Sequence, residues 1–148
     1  MSFRGDFPLP DLDWPPTREF WAAAARGELA VPRCDACGRY VWYPDGTCRR
    51  CGSHDARWTA VSGRGRLFSW SVVRRAFIPQ LADDVPYVPA LVAIDEDPAV
   101  RIVSRIVDCD PDRLLIDMPV RVVFRPLRFA GVPGEVVAPM FVPGVANF

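Results

Sequence analysis

The pattern of hydrophobic and polar positions predicts one short helix followed by a series of β-strands. Residues 17–26 place Phe20 and Trp21 before four consecutive alanines, a composition that favours helix, and Gly27 is positioned to end it. Three short apolar segments predict strands around two cysteine pairs, at 29–33, 40–43 and 58–60. Five further segments rich in β-forming residues follow, at 63–73, 88–94, 100–107, 119–124 and 136–141. Proline and glycine separate these five segments, so we expect a mainly β chain that ends in a small antiparallel barrel.

Local features of the second half agree with a barrel. Gly63 and Gly65 stand at the start of the first barrel segment, where they suit the sharp coiling that closure requires. The acidic segment 95–98 ends in proline and predicts a turn between the second and third barrel strands. Residues 110–112 predict a loop or a single helical turn before the fourth.

Four cysteines provide the most specific motif of the chain. Cys34 and Cys37 form one Cys-x-x-Cys-Gly segment, and Cys48 and Cys51 form another after ten intervening residues. Two residues between thiolates allow one tight turn to direct both sulfurs at one ion, and two such knuckles predict a tetrahedral site suited to zinc. Iron is an alternative ion for the same ligands, and two disulfides are an alternative for the cysteines. Since four thiolates complete the coordination shell, the site predicts a structural role.

The motifs divide the chain into three parts. Residues 1–28 form an extended, proline-rich arm and the helix. Residues 29–60 form a zinc ribbon, and residues 61–148 form the barrel domain with a C-terminal tail.

Composition argues against catalysis by this chain alone. All 18 basic residues are arginine, so a lysine Schiff base is excluded. The single histidine, His54, lies beside the second knuckle, where it is an alternative metal ligand or, as we expect, a surface residue of the turn. Cys109 is an alternative nucleophile, although a lone cysteine after a valine-rich strand is more often a packing residue. We therefore expect a binding or partner role.

Net charge and hydropathy limit the surroundings of the chain. The 18 acidic residues balance the basic ones, and this neutrality makes a nucleic-acid-binding module the weaker alternative. No apolar run reaches the length of a membrane span, and residues 1–8 lack an apolar signal core. These observations predict a cytoplasmic protein with no membrane partner and with reduced cysteines.

The order of these motifs resembles a known family, the acyl-CoA-associated OB-fold proteins with an N-terminal rubredoxin-like zinc ribbon. The resemblance covers about residues 17 to 142 and rests on the helix, the four cysteines and several barrel segments. The quoted segments are 18–21, Leu29, Pro44, 63–70, 86–92 and 118–120. Two turns depart from the family pattern, which often has glycine at each: the first is Asp-Glu-Asp-Pro at 95–98, and the second has Asp117 before Met118.

The resemblance implies a five-stranded OB-fold and an accessory role. Members of this family bind thiolase-like enzymes, whose complexes carry out thiolase-type condensation or retro-aldol cleavage of steroid side-chain CoA thioesters. The reacting residues belong to the partner, and the small subunit is thought to help hold the CoA or complete the partner's fold. A rubredoxin-like electron carrier, which would contain iron, and a nucleic-acid-binding module are the alternative functions.

Two sets of residues are candidates for these contacts. Arginine side chains suit the phosphates of CoA, and the candidates are Arg64, Arg66, Arg74, Arg75, Arg125 and Arg128. Apolar side chains suit a protein partner, and the candidates are Trp14, Phe20, Trp21, Met140 and Phe141.

Overall fold

The computed structural model describes residues 4–144, and residues 1–3 and 145–148, which include the last part of the predicted tail, lie outside the described chain. It contains one α-helix, seven β-strands and two single-turn 3₁₀ helices, at Pro79–Leu81 and Pro111–Arg113. The longer elements are α1 Arg18–Ala25, β1 Leu29–Cys34, β2 Ala56–Val61, β3 Arg64–Trp70, β4 Val88–Ile94, β5 Asp97–Ile106, β6 Pro119–Leu127 and β7 Val136–Pro143. Within residues 4–144, no helix has the length and apolar character needed to cross a lipid bilayer.

Helix α1 docks on the rest of the chain through one face. Phe20, Ala23 and Ala24 are buried on that face, and the helix contacts β1 and β7. The backbone N–H of Gly27 donates to the carbonyl of Ala24, so the helix ends where the sequence predicted. A helix of eight residues is too short to be stable in isolation, and its stability therefore depends on this packing.

The strands form a two-stranded ribbon and a closed barrel. Strands β1 and β2 pair antiparallel from Leu29 opposite Val61 to Cys34 opposite Ala56. The other five strands close in the order β3-β4-β5-β7-β6, which confirms the predicted five-stranded OB-fold barrel. The neighbours are antiparallel except β5 and β7, which run parallel where Ile106 faces Phe141.

One continuous hydrophobic core joins the helix, the ribbon and the barrel. Phe141, Leu67 and Ile102 occupy its centre and have almost no solvent exposure. Phe20 of α1 and Val31 of β1 belong to the same cluster. The barrel is therefore closed on one side by the helix and the first ribbon strand.

The strand predicted at residues 40–43 does not form. Tyr40 makes an isolated bridge to Arg33, and the N–H of Val41 donates to the carbonyl of Pro32 at 2.8 Å. The chain then turns inward, because Trp42 packs against the core with its ring 5.6 Å from that of Phe20. Packing of this half-buried side chain against the core ends the pairing with β1.

The other strands occur where they were predicted, with changed ends. Strand β5 begins at Asp97, so the turn predicted over 95–98 contains only the first two of these residues. Its earlier start is stabilised by the carboxylate of Asp97, which accepts a hydrogen bond from the N–H of Ala99. Strand β3 ends three residues earlier than predicted and carries a bulge between Leu67 and Ser69. The helical turn predicted at 110–112 is the 3₁₀ helix Pro111–Arg113, where the Asp110 side chain accepts from the N–H of Asp112.

Candidate metal centre

Two equivalent backbone turns position the four cysteines. The N–H of Cys34 donates to the carbonyl of Arg39, and the N–H of Cys48 donates to that of Ser53, each at 2.8 Å. The turns differ in sequence but place the first cysteine of each pair in the same hydrogen-bonded position. Cys34 is also the last residue of β1, so the ribbon strand fixes one knuckle directly.

A glycine follows each pair because the backbone there must adopt a left-handed conformation. Gly38 and Gly52 both have φ of 76°, a region that is costly for other residues. The N–H of Gly38 donates to the carbonyl of Cys34 at 2.9 Å, and the N–H of Gly52 donates to that of Cys48 at 2.8 Å. These bonds close both turns and direct the sulfurs toward one point.

The four sulfurs form a compact cluster. The Sγ atoms of Cys34 and Cys51 lie 3.6 Å apart, those of Cys37 and Cys48 lie 3.7 Å apart, and all four lie within 4.8 Å of one another. Sulfur–zinc bonds of about 2.3 Å in a tetrahedron place the sulfurs about 3.8 Å apart. The cysteines are free thiols and not disulfides, and their arrangement fits one zinc ion.

The electrostatics of the cluster also favour a cation. The backbone N–H of Cys37 is the main group that lowers the pKa of Cys34, and the N–H of Cys51 is the main group that lowers the pKa of Cys48 to about 6. The N–H of Ser53 favours the thiolate of Cys51, but hydrogen bonds with neighbouring thiols and desolvation outweigh it and raise the pKa of Cys51 to about 12. Without a cation the cluster therefore cannot hold four thiolates, whereas a bound metal ion deprotonates its ligands.

His54 is not part of the sulfur cluster. Its Nδ1 lies 3.2 Å from the carbonyl oxygen of Gly46 and 3.3 Å from the hydroxyl of Thr47. The histidine therefore braces the exposed turn before the second knuckle, as expected for a surface residue. Cys109 is half-buried and packs against the hydrophobic core, and its thiol donates to the backbone carbonyl of Asp110 at 3.3 Å.

The six candidate arginines do not gather into one site. Arg125 forms an ion pair with Asp108 at 2.6 Å, and Arg128 forms one with Glu135. Arg75 lies beside the ring of Phe77 in the connection between β3 and β4. The two candidates on β3 and the neighbouring Arg74 are exposed, and the CoA contact stays a prediction.

A seventh arginine, Arg121, was not among the candidates predicted from the sequence. Arg121 lies on β6 directly opposite Arg64 on β3, and both line one cleft together with Arg66. Only the pairing of β3 with β6 brings these side chains together. The only sequence feature that marks Arg121 is its polar position between Val120 and Val122.

Three of the five apolar interface candidates belong to the core of this chain. Phe20, Met140 and Phe141 are buried, so the prediction that they form exposed apolar surface is wrong. Barrel closure explains the error, because it turns most of β7 inward and covers the helix face. Trp21 is half-buried against the core, and Trp14 is exposed at 55%.

Exposed apolar side chains occur instead on the outside of the barrel. Ile116 is 72% exposed, and Leu115, Val103 and Phe68 are also exposed. The N–H of Leu67 donates to the carbonyl of Met118 and its carbonyl accepts from Asp117, so the loop before β6 lies beside the β3 bulge. These side chains were not distinguished in the sequence, because exposure depends on which face of each strand lies outward.

Comparison with known proteins identifies both halves of the chain. The family model described as "ChsH2, rubredoxin-like zinc ribbon domain" matches residues 21–56, and "ChsH2, C-terminal OB-fold domain" matches residues 58–125. A DUF35 domain-containing scaffold protein of Methanothermobacter thermautotrophicus is 36% identical over 115 residues, which cover 75% of this chain and 82% of that protein. A probable enoyl-CoA hydratase alpha subunit of Thermomonospora curvata is 34% identical over 127 residues, or 85% of this chain, but the match spans only 37% of that protein.

Solved structures agree with these relationships. A chain of the Ltp2-ChsH2(DUF35) aldolase is 31% identical, with a TM-score of 0.74, and the match covers 93% of this chain and 100% of that one. A DUF35 protein of unknown function from Sulfolobus solfataricus shares the fold at 11% identity, with a TM-score of 0.55 over 74% of this chain and 78% of that one. The chain therefore belongs to the DUF35 family, in which a ChsH2-type rubredoxin-like zinc ribbon precedes an OB-fold domain.

Proposed function

We propose that this chain is a non-catalytic accessory subunit of a thiolase-like acyl-CoA enzyme. The partner would carry out condensation or retro-aldol cleavage of a CoA thioester, for example a steroid side-chain intermediate. The observation that carries the proposal is the similarity to the DUF35 chain of the Ltp2-ChsH2(DUF35) aldolase, which this chain matches over that chain's full length. The scaffold proteins among its relatives point in the same direction.

The chemistry of the chain supports an accessory role. Four thiolates complete the coordination of the metal, so the ion has no position for a substrate or an activated water. The single histidine is held by backbone and hydroxyl groups of its own turn, and lysine is absent. The acid, base and nucleophile of the reaction would therefore come from the partner.

The same proposal includes a part for this chain in holding the CoA thioester. Guanidinium groups bind phosphate oxygens through paired hydrogen bonds. Arg64 and Arg66 support this part because they are exposed and form no ion pair within residues 4–144, whereas the pairing of Arg125 and Arg128 with carboxylates weakens their case. We propose that the complex acts in the cytoplasm, where a four-thiolate site stays reduced.

The partner should contact side chains that are exposed in this chain. Trp14 on the N-terminal arm stays a predicted contact, and Ile116 on the barrel is the most exposed aliphatic side chain near the β3 bulge. Tyr43 is an exposed aromatic side chain on the ribbon, at 56%. A charged residue at a contact position would be desolvated without a partner charge, and association would weaken.

Co-expression with a thiolase-like protein from the same host tests the proposal. We expect one complex by size-exclusion chromatography with light scattering, and cleavage or condensation activity only when the partner is present. Ile116→Arg should weaken the complex more than tenfold, with Tyr43→Arg as the matched substitution on the ribbon. A stable monomer or self-dimer that captures no thiolase-like protein would refute the accessory role, and an effect of Tyr43→Arg alone would move the contact to the ribbon.

A further inference from the structure

The pairing of β3 with β6 places three arginines around one cleft. Arg64 lies directly opposite Arg121, and Arg66 follows two residues later on the same face of β3. The cleft has a volume of about 290 Å³. Like charges that face each other across an antiparallel pair destabilise a sheet, so this arrangement has a cost in the folded chain.

Carboxylates of the chain do not remove this cost. Within residues 4–144, none of the three guanidinium groups forms an ion pair, although eight other arginines do. Arg66 donates one hydrogen bond, to the backbone carbonyl of Asp117 at 3.2 Å. Asp95 also lines the cleft, so its walls carry three positive charges and one negative charge.

The floor of the cleft is backbone. Gly65 separates the two arginines of β3, and a side chain there would meet the carbonyl oxygen of Ala93 at 2.5 Å. Gly144 closes the opposite side, where an added Cβ would approach Pro119 at 3.3 Å. Because both positions are glycine, only the arginine side chains project above this backbone surface.

We propose that this cleft is an anion site that binds a phosphate group between Arg64, Arg66 and Arg121. Guanidinium forks match phosphate oxygens in pairs, and a doubly charged anion would offset the repulsion between the facing arginines. The volume of about 290 Å³ leaves room for a phosphate group, and the three guanidinium groups select that group by its charge. Two sources share this chemistry, inorganic phosphate and the 3′-phosphate at the nucleotide end of CoA, and only the second depends on the proposed function.

Binding should be measured on the full metal-loaded chain by isothermal titration at constant ionic strength. The probes are inorganic phosphate, CoA and dephospho-CoA, with chloride as the reference anion. Saturable binding of phosphate or CoA that exceeds chloride supports the site. Tenfold tighter binding of CoA than of dephospho-CoA assigns the 3′-phosphate, and preferred binding of inorganic phosphate assigns the free anion.

Arg121→Gln and Arg125→Gln form a matched pair on β6. Arg121→Gln should weaken phosphate binding at least tenfold and raise the melting temperature of the phosphate-free chain, because it removes the facing charge. Arg125→Gln removes an arginine that is paired with Asp108, so phosphate binding should change less than twofold and the melting temperature should not rise. Equal losses in both variants, or no saturable binding of any phosphate, would overturn the proposal, and neither result depends on a protein partner.

Discussion

Replacement of Cys34 by serine should release the metal and unfold the two cysteine knuckles while the barrel stays folded. Cys34 is buried at the end of β1, and its sulfur is one of the four in the cluster. A serine hydroxyl is a much poorer zinc ligand than a thiolate, so the ion would be left with three thiolates and a water molecule in the fourth position. The continuous core around Leu67 and Phe141, to which the barrel contributes most side chains, does not include the four cysteines of the cluster.

The magnitude follows from how little else holds the two knuckles together. Their own hydrophobic cluster consists of Val41 and the two buried cysteines, Cys34 and Cys48. Full burial of one valine contributes about 1.5–3 kcal/mol, whereas a structural zinc site contributes about 10–16 kcal/mol near neutral pH. Tyr40 and Trp42 also pack against the continuous core. Loss of the metal therefore removes most of the stabilisation of the rest of residues 35–55, whose amides should exchange as in an unfolded segment.

Native mass spectrometry and hydrogen-exchange mass spectrometry measure these two effects. The unmodified chain should carry one zinc, without the visible absorption of an iron form, and the Cys34→Ser chain should carry none. Cys109→Ser is the matched control, because it makes the same substitution at a cysteine outside the cluster. This variant should retain both the metal and the hydrogen-exchange protection of residues 35–55. The reasoning is refuted if Cys34→Ser keeps one metal per chain, or if exchange in 35–55 is unchanged.

Three further predictions concern backbone strain and pH. Gly63→Ala should lower the free energy of unfolding by about 2–4 kcal/mol, because Gly63 has φ of 79° and an added Cβ would overlap Val122. Gly134 is the control, since it has φ of 88° with open space around it. Gly134→Ala should lower the free energy of unfolding by only about 1 kcal/mol. Asp117 has φ of 64°, so Asp117→Gly should raise the unfolding free energy by about 0.5–1 kcal/mol in urea titrations. The pKa of Cys48 is lowered to about 6 in the folded, metal-free chain, so its contribution to stability is lost as the pH falls through that value. Because a bound metal ion keeps its ligands deprotonated, zinc content after dialysis should stay constant down to about pH 6 and decrease only below it.

The metal centre could be predicted from the sequence because its information is local. Two residues between cysteines and a following glycine determine each knuckle, and the structure places Cys34, Cys37, Cys48 and Cys51 together as expected. Strand positions were also predictable from local composition, apart from residues 40–43. That segment has strand-forming residues, but the burial of Trp42 against the core competes with its pairing to β1.

The partner surface was less predictable because hydrophobicity alone does not separate a core from an interface. Phe20, Met140 and Phe141 are as apolar as the side chains that lie outside, but closure of the barrel buries them. Val103 is exposed because it lies on the outward face of β5, and Ile116 is exposed because of the position of the loop before β6. Neither property can be derived from the residues themselves without the order of the strands.

Barrel closure also gives different environments to arginines that are equivalent in the sequence pattern. Strand β6 carries both Arg121 and Arg125, and both are polar positions on the same strand. Its antiparallel pairing with β3 brings Arg121 opposite Arg64, which is 57 positions earlier in the chain, while Arg125 reaches the carboxylate of Asp108. Among residues 4–144, the same strand therefore has one arginine whose charge is balanced by a carboxylate and one whose charge is not. An unbalanced pair persists in a folded protein only at a cost, and a bound phosphate group would remove that cost in the position where the fold creates it.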